Sequence, residues 1–155
     1  MNRNKDKLSA KAQLLVAIIA ICLLLAGCIA QPNMITAQVT QVIDGDTIAI
    51  EGGEHIRYIG IDTPEKGQRY YMEAWQANRE LVEEKEVQLE RDTSERDKYG
   101  RLLRYVYVDG VFVNAELVSL GYAEAKSYPP DIKHQSYLEE LERKAKKEGK
   151  GMWGR

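Results

Sequence analysis

The chain has 155 residues, with 22 Lys and Arg against 24 Asp and Glu, a net charge of −2, two Cys and two His. That length allows one domain around one hydrophobic core and leaves no room for a second. The acidic balance argues against bulk attraction to nucleic acid or anionic lipid, though not against a local cationic site. The few, scattered Cys and His argue against a disulfide framework and against a zinc or copper centre.

Arg3, Lys5, Lys7 and Lys11 make a basic start, residues 14–26 are almost unbroken apolar sequence, and Leu25-Ala26-Gly27-Cys28 sets small residues before a Cys. A basic region, a short apolar region and a small-residue cleavage site mark a secretory signal. The apolar run is short for a membrane span. The Leu-Ala-Gly-Cys end resembles a bacterial lipobox, which implies cleavage before Cys28 and a lipid on its thiol. The alternative is an uncleaved N-terminal anchor helix. Both lead to an exported domain held at the membrane outside the cytoplasm, some of it also released. The expected organisation is a signal peptide at 1–27, a tether at 28–35 and a folded domain at 36–155. Removing 27 residues leaves 128, with 18 bases and 23 acids, a net charge of −5, and no thiol in the folded part.

Beyond the tether, residues 37–43, 47–51 and 55–61 are strand-like, rich in Val, Ile, Thr and Tyr. Glu51-Gly52-Gly53-Glu54 predicts a hairpin turn between the last two. Over 70–84 the period becomes helical, with Tyr71, Ala74, Trp75, Asn78, Leu81 and Val82 on one face. Residues 87–90 and 102–108 are strands, Asp109-Gly110 turns, and 111–113 pair back. Asn114 is placed to cap a short helix that Gly121 stops. After Pro129-Pro130, Asp131 is placed to cap a last helix to about Glu148, with Leu138, Leu141 and Ala145 inward and its many charges solvated. Trp153 is expected to plug the core. Five strands with a helix after the third predict a mainly β, α+β fold: a five-stranded antiparallel OB-fold barrel plus three helices.

Two acidic stretches interrupt the strands: Asp44-Gly45-Asp46 between the first and second, and Asp62-Thr63-Pro64-Glu65 after the third. Each alone reads as an ordinary turn with solvated acids, Gly45 letting the chain turn between its neighbours. Together they pose a problem, because a bare buried carboxylate costs several kcal/mol or more. Pro64 biases Thr63 toward an extended conformation, which frees its carbonyl as an oxygen ligand. Neighbouring barrel strands bring Asp46 and Asp62 together, and two carboxylates plus a carbonyl suit a hard cation such as Ca²⁺, or Mn²⁺. His55 and His134 are lone and read as surface or packing residues. Arg57 leads into Asp62, and Arg101 follows Asp97-Lys98-Tyr99-Gly100. An Arg at a sheet is usually a surface ion pair worth little, but its planar fork also binds phosphate oxygens. A cation, two arginines and Glu65 to activate or orient a water are the parts of a phosphodiester-cleaving site.

VIDGDT, IRYIGIDTPE, DKYGR, VNAELVSLGYA and KKEGKGMW follow one another between about Val39 and Trp153. In these motifs and their order the chain resembles the staphylococcal nuclease (thermonuclease) family. Asp-Gly-Asp-Thr alone is a weak signal, whereas Arg-x4-Asp-Thr-Pro-Glu followed by Asp-Lys-Tyr-Gly-Arg is specific. The resemblance implies an OB-fold with packed helices, Asp46 and Asp62 as calcium ligands, and the backbone carbonyl of Thr63 as a third. It implies Glu65 as the catalytic glutamate, Arg57 and Arg101 as phosphate-binding residues, Lys98 and Tyr99 near the nucleotide, and Asp44 as a supporting acid beside the metal. The implied reaction is calcium-dependent hydrolysis of DNA and RNA, flexible or single-stranded by preference, with little sequence specificity and 3′-phosphate products, by a monomer. The chain departs from the family where nucleotide-contacting tyrosines are expected: Ser127 and Pro129 stand there, with Tyr128 between them as the candidate stacking group. Its 66–71 loop is also shorter than the family's mobile loop. Two other readings stay open, a non-catalytic OB-fold binding module and a surface protein with vestigial catalysis.

Overall fold

The computed structural model describes residues 34–154; the segment expected to be a signal peptide, its expected cleavage point and Cys28 lie outside the described residues. The first strand, β1 (Met34–Val42), is long enough to serve two neighbours. Its C-terminal part pairs antiparallel with β2 (Thr47–Ile50), Val42 opposite Ile48. Its N-terminal part pairs antiparallel with β5 (Glu86–Glu90), Met34 opposite Glu90. A register shift between Val39 and Gln41 marks the hand-over, as an extra residue bends and twists a strand. Next, β2 turns through Gly52 and Gly53, at φ +88° and +82°, into β3 (His55–Tyr58). The last barrel strand, β6 (Leu102–Val108), lies antiparallel to β5 and parallel to β3, with Arg57 opposite Leu103. The order β1–β2–β3–β6–β5 therefore closes on itself as the five-stranded barrel expected. It is not wholly antiparallel, because the long crossover between β3 and β6 lets those two strands run the same way.

Val39, Ile48, Ile56, Val87, Leu89 and Val106 fill the barrel, each at most 2% exposed. Three helices cover it. In α1 (Tyr71–Val82) the buried residues are Ala74, Ala77, Asn78 and Val82, with Trp75 and Leu81 half-buried beside them. A further short strand, β7 (Val111–Phe112), pairs back on β6 and runs into α2 (Val113–Ser119). The third helix, α3 (Gln135–Glu148), presents Leu138 and Ala145 to the core, as its stripe predicted. Among the described residues no helix is long and apolar enough to cross a membrane.

Four local expectations fail for physical reasons. The strand expected over 55–61 breaks at Ile59 and Gly60. Gly60 sits at φ +79° against Leu138, and the chain resumes as β4 (Ile61–Asp62), paired with β8 (Glu124–Ala125). Asn114 does not cap α2, which starts one residue earlier. It is wholly buried and works across the fold, accepting from the Val106 N–H and donating to the Ile59 carbonyl. Asp131 does not cap α3. It accepts the N–H groups of Thr93 and Ser94 at 3.0 and 2.7 Å, tying a distant loop down. Trp153 is half-buried rather than a core plug, with the Lys146 ammonium 4.3 Å from its ring centre.

Candidate active site

The site forms where β1 hands over to β2 and where β3 ends. Asp46 is only 5% exposed. One of its oxygens, Oδ2, accepts the Thr63 N–H at 2.9 Å and the Thr63 hydroxyl at 3.1 Å, and stands 3.2 Å from Arg57 Nη2. The other, Oδ1, accepts the Thr47 hydroxyl at 3.2 Å. Burial pushes the Asp46 carboxyl up to about 6, against the pull of the Arg57 charge and helped by the negative charge of Asp44. Such a carboxyl gains from any cation placed beside it.

Arg57 is held on all sides. Its Nη2 bonds Asp62 Oδ1 at 2.8 Å, and its Nη1 donates to the carbonyls of Tyr58 and Ile61 at 2.7 and 2.9 Å. The break after β3 is what turns the Ile61 carbonyl and Asp62 back toward this guanidinium. Asp44 accepts the Asp46 N–H at 3.0 Å, so it shapes the turn that aims Asp46. The second arginine arrives from the turn before β6. Asp97 accepts the Arg101 N–H and Nε at 3.0 and 2.7 Å, and the Tyr99 N–H at 2.9 Å. Burial works against the Asp97 charge, but the Arg101 and backbone hydrogen bonds outweigh it and hold the carboxyl below its usual range. Arg101 Nη1 reaches the Thr47 hydroxyl at 3.5 Å. Both arginines therefore meet the Asp46 carboxylate, Arg57 directly and Arg101 through Thr47.

Asp44, Asp46, Arg57, Asp62, Thr63 and Arg101 thus come together. Lys98 and Tyr99 flank Arg101: Tyr99 is 73% exposed, and the Lys98 ammonium and Arg101 guanidinium lie 4.9 and 5.6 Å from its ring centre. Glu65 stands apart with an exposed side chain, on a loop fixed by its own N–H donating to Gln68 Oε1 at 2.7 Å. Tyr128 is 47% exposed, in a loop closed by the Asp131 N–H on its carbonyl.

Three further residues support the centre. Thr47 closes DGDT and links the Asp46 carboxylate to Arg101. Asp97 opens DKYGR and organises that arginine. Asn78 donates to the Asp44 carbonyl at 2.9 Å and accepts the Tyr58 hydroxyl at 2.9 Å. Only a polar residue on an otherwise apolar helix face signalled it. Gly45 needs a different explanation from the one its turn invited. A Cβ there would lie 2.7 to 2.9 Å from the side-chain atoms of Thr63. Glycine is required because Thr63 packs directly against it.

Among the described residues no group of three or more His, Cys, Asp or Glu is placed to hold a metal. The available set is the Asp46 and Asp62 carboxylates and the Thr63 carbonyl, to which no N–H is bonded among the described residues. Three oxygens of this kind fit a hard cation that keeps some of its waters.

The model of the family described as staphylococcal nuclease homologue matches residues 55–155. A thermonuclease of Staphylococcus hyicus is 37% identical over 130 residues, covering 78% of this chain and 77% of its own. The thermonuclease of Staphylococcus intermedius is 37% identical over 126 residues, covering 76% and 75%. Endonuclease YncB of Bacillus subtilis is 38% identical over 136 residues, covering 81% and 64%. The barrel, the arginine-carboxylate centre at its rim and likeness to thermonucleases over most of both chains have one reading: this chain belongs to the staphylococcal nuclease family.

Proposed function

We propose that the chain is a calcium-dependent nuclease that hydrolyses phosphodiester bonds of DNA and RNA with little sequence specificity, exported and held at the membrane by a lipid on Cys28. The observation that carries the catalytic part is the convergence of both arginines on one buried carboxylate, Arg57 at 3.2 Å and Arg101 through Thr47. A carboxylate so enclosed is an expensive arrangement for stability alone. The chain's relatives named thermonuclease and endonuclease support the reaction class.

Asp46, Asp62 and the Thr63 carbonyl would hold Ca²⁺, which when bound supplies positive charge for a phosphate oxygen and a polarised water. Arg57 and Arg101 bind the phosphate's remaining oxygens, and their donors strengthen as charge builds there. Each is fixed in advance by its own acceptors, so little ordering remains when a substrate arrives. Glu65, on the exposed loop beside Asp62, is free to orient the attacking water and accept its proton. Cleavage at the 5′ oxygen leaves the phosphate on the 3′ side. The overall acidity of the chain keeps affinity for long nucleic acid modest.

The test is incubation of residues 29–155 with single-stranded DNA, with calcium or with a chelator. Cleavage only with calcium supports the reading; no cleavage in either condition removes it. A Cys28→Ala change should move the protein from the membrane fraction to the soluble one. Retention without the thiol overturns the anchor.

A further inference from the structure

Beside the site, between the β4–β8 pair and the loop leading into α1, lies a cleft of about 270 Å³ lined by Asp62, Thr63, Gln68, Arg69, Glu124 and Met152. Its charges are unusual. Arg69 lies along the next side chain, with its guanidinium 4.6 Å from the Tyr70 ring centre and Nη2 donating to the Tyr70 hydroxyl at 2.9 Å. Among the described residues it forms no ion pair, and neither does Glu124, although both line the same cleft. Glu124 is also directly opposite Asp62 in the β4–β8 register. Like charges at directly opposed positions cost stability, so folding gives no reason for an acid there. Gln68 accepts the Glu65 N–H through its carbonyl oxygen, which leaves its amino group to donate. The cleft therefore presents a cation, an acceptor-only anion, a donor and the apolar Met152, with the Asp62-Thr63 corner as its shared wall.

We propose that this cleft is the subsite for the nucleotide next to the scissile phosphate. Arg69 binds the flanking phosphate, and Glu124 accepts from the amino group of the base. The inference rests on the phosphodiesterase reading of the adjoining site. Arg69 has the fork that suits phosphate oxygens. Adenine, cytosine and guanine carry exocyclic amino groups, whereas thymine and uracil lack one and offer only a ring N–H flanked by two carbonyl oxygens that a carboxylate repels. Such readout needs an unpaired base whose edge is free. The cleft is smaller than the about 300–1,000 Å³ of drug-sized pockets, which suits one base. The enzyme stays broadly unspecific, because the phosphate contacts carry no sequence, yet it disfavours thymine or uracil at one position beside the cut.

The test uses the protein with calcium and two kinds of substrate: tetranucleotides differing only in cytosine or thymine beside the cut, and a nitrophenyl phosphodiester of a single nucleoside. Arg69→Ala should lower the ratio of kcat/KM between tetranucleotide and nitrophenyl ester by about tenfold, the value of one charged phosphate contact. Glu124→Gln should erase the preference for cytosine over thymine, since an amide both donates and accepts. Anisotropy of labelled tetranucleotides, in a Glu65→Ser background with calcium, should show the same two effects on binding. If the wild type cleaves both substrates and the two variants keep its ratio and base preference, the cleft is not a subsite and the nuclease reading stands. If the wild type cleaves neither, that reading falls. The anisotropy series then decides the cleft alone, and unchanged or absent tetranucleotide binding overturns it.

Discussion

Gly45→Ala is the sharpest probe of the site, because the residue touches no ligand and makes no ion pair. The added Cβ would stand 2.7, 2.8 and 2.9 Å from Oγ1, Cβ and Cγ2 of Thr63. Relief requires the two residues to separate by roughly 0.5–0.7 Å, since real carbon contacts begin near the well of about 3.5 Å. Thr63 is held to Asp46 by bonds of 2.9 and 3.1 Å. Lengthened by that amount, they reach about 3.4–3.6 Å and about 3.6–3.8 Å, at and beyond the limit of hydrogen bonding. The overpacking should cost about 1–3 kcal/mol, a fall in Tm of roughly 3–9 °C for a chain of this size. Displacing Thr63 also moves the carbonyl proposed as a calcium ligand, so calcium affinity should fall with stability. Gly52→Ala is the control: it sits at φ +88° with nothing within 4 Å of a Cβ, so it pays backbone strain alone. Thermal melting without calcium and calorimetric titration with calcium separate the cases. Gly52→Ala should lower Tm and bind calcium normally, whereas Gly45→Ala should lose on both measures. A Gly45→Ala protein with wild-type Tm and calcium affinity would refute the close-packing argument.

Arg57→Leu leaves Asp46 buried without its cation and should destabilise the calcium-free protein by about 3 kcal/mol in urea unfolding, the cost of breaking a buried pair. Asn114→Ala strands the Val106 N–H and the Ile59 carbonyl in the core and should cost at least about 2 kcal/mol in the same assay, with calcium affinity unchanged. Calcium affinity should fall as pH drops through about 6, because Asp46 then takes up a proton that the cation must displace. At pH 5 the loss should be about tenfold by calorimetry, and a flat profile from pH 7 to 5 would remove Asp46 from the ligand set. Stability without calcium has the opposite sign at this residue. A carboxyl raised from 3.8 to about 6 on folding favours the folded state as pH falls through 6. Asp97, whose carboxyl is lowered, contributes stability that is present above 3.8 and lost as pH falls through its folded value.

The barrel was legible because its strands carry their own signals. Val, Ile and Tyr recur in short runs, and Gly-Gly and Asp-Gly mark the turns. The centre was legible because its residues lie in a few short motifs, and strand register brings those motifs together. What could not be read was the use of polar groups over long sequence distances. Asn114 and Asp131 look like helix caps, and locally either would serve as one. The fold instead uses them 55 and 38 residues away, to satisfy the Ile59 carbonyl and the Thr93 N–H. Glu142 was placed on a solvated face, yet it accepts the Ala125 N–H at 3.2 Å and so steadies β8. In each case the competing demand is a buried or bent backbone group elsewhere, which one segment of sequence does not display.

The charges around the centre also order its events. Asp44, Asp46, Asp62 and Asp97 surround Arg57 and Arg101, so the side chains alone leave the site negative. The guanidiniums are engaged with those acids, Arg57 with Asp46 and Asp62 and Arg101 with Asp97. A phosphate approaching this arrangement meets carboxylates as well as cations, and the burial of Asp46 strengthens the repulsion through its low local dielectric. Asp46 and Asp62 would hold the proposed divalent cation, whose charge would offset two of the acids and leave more of the arginines' field for the phosphate. Cation and substrate would then be coupled: each would bind better once the other is in place, by the same factor. On the proposed calcium-dependent reading, an acidic protein would act on a polyanion in this way, because the charge that attracts the phosphate would be gathered at one point and depend on the bound cation.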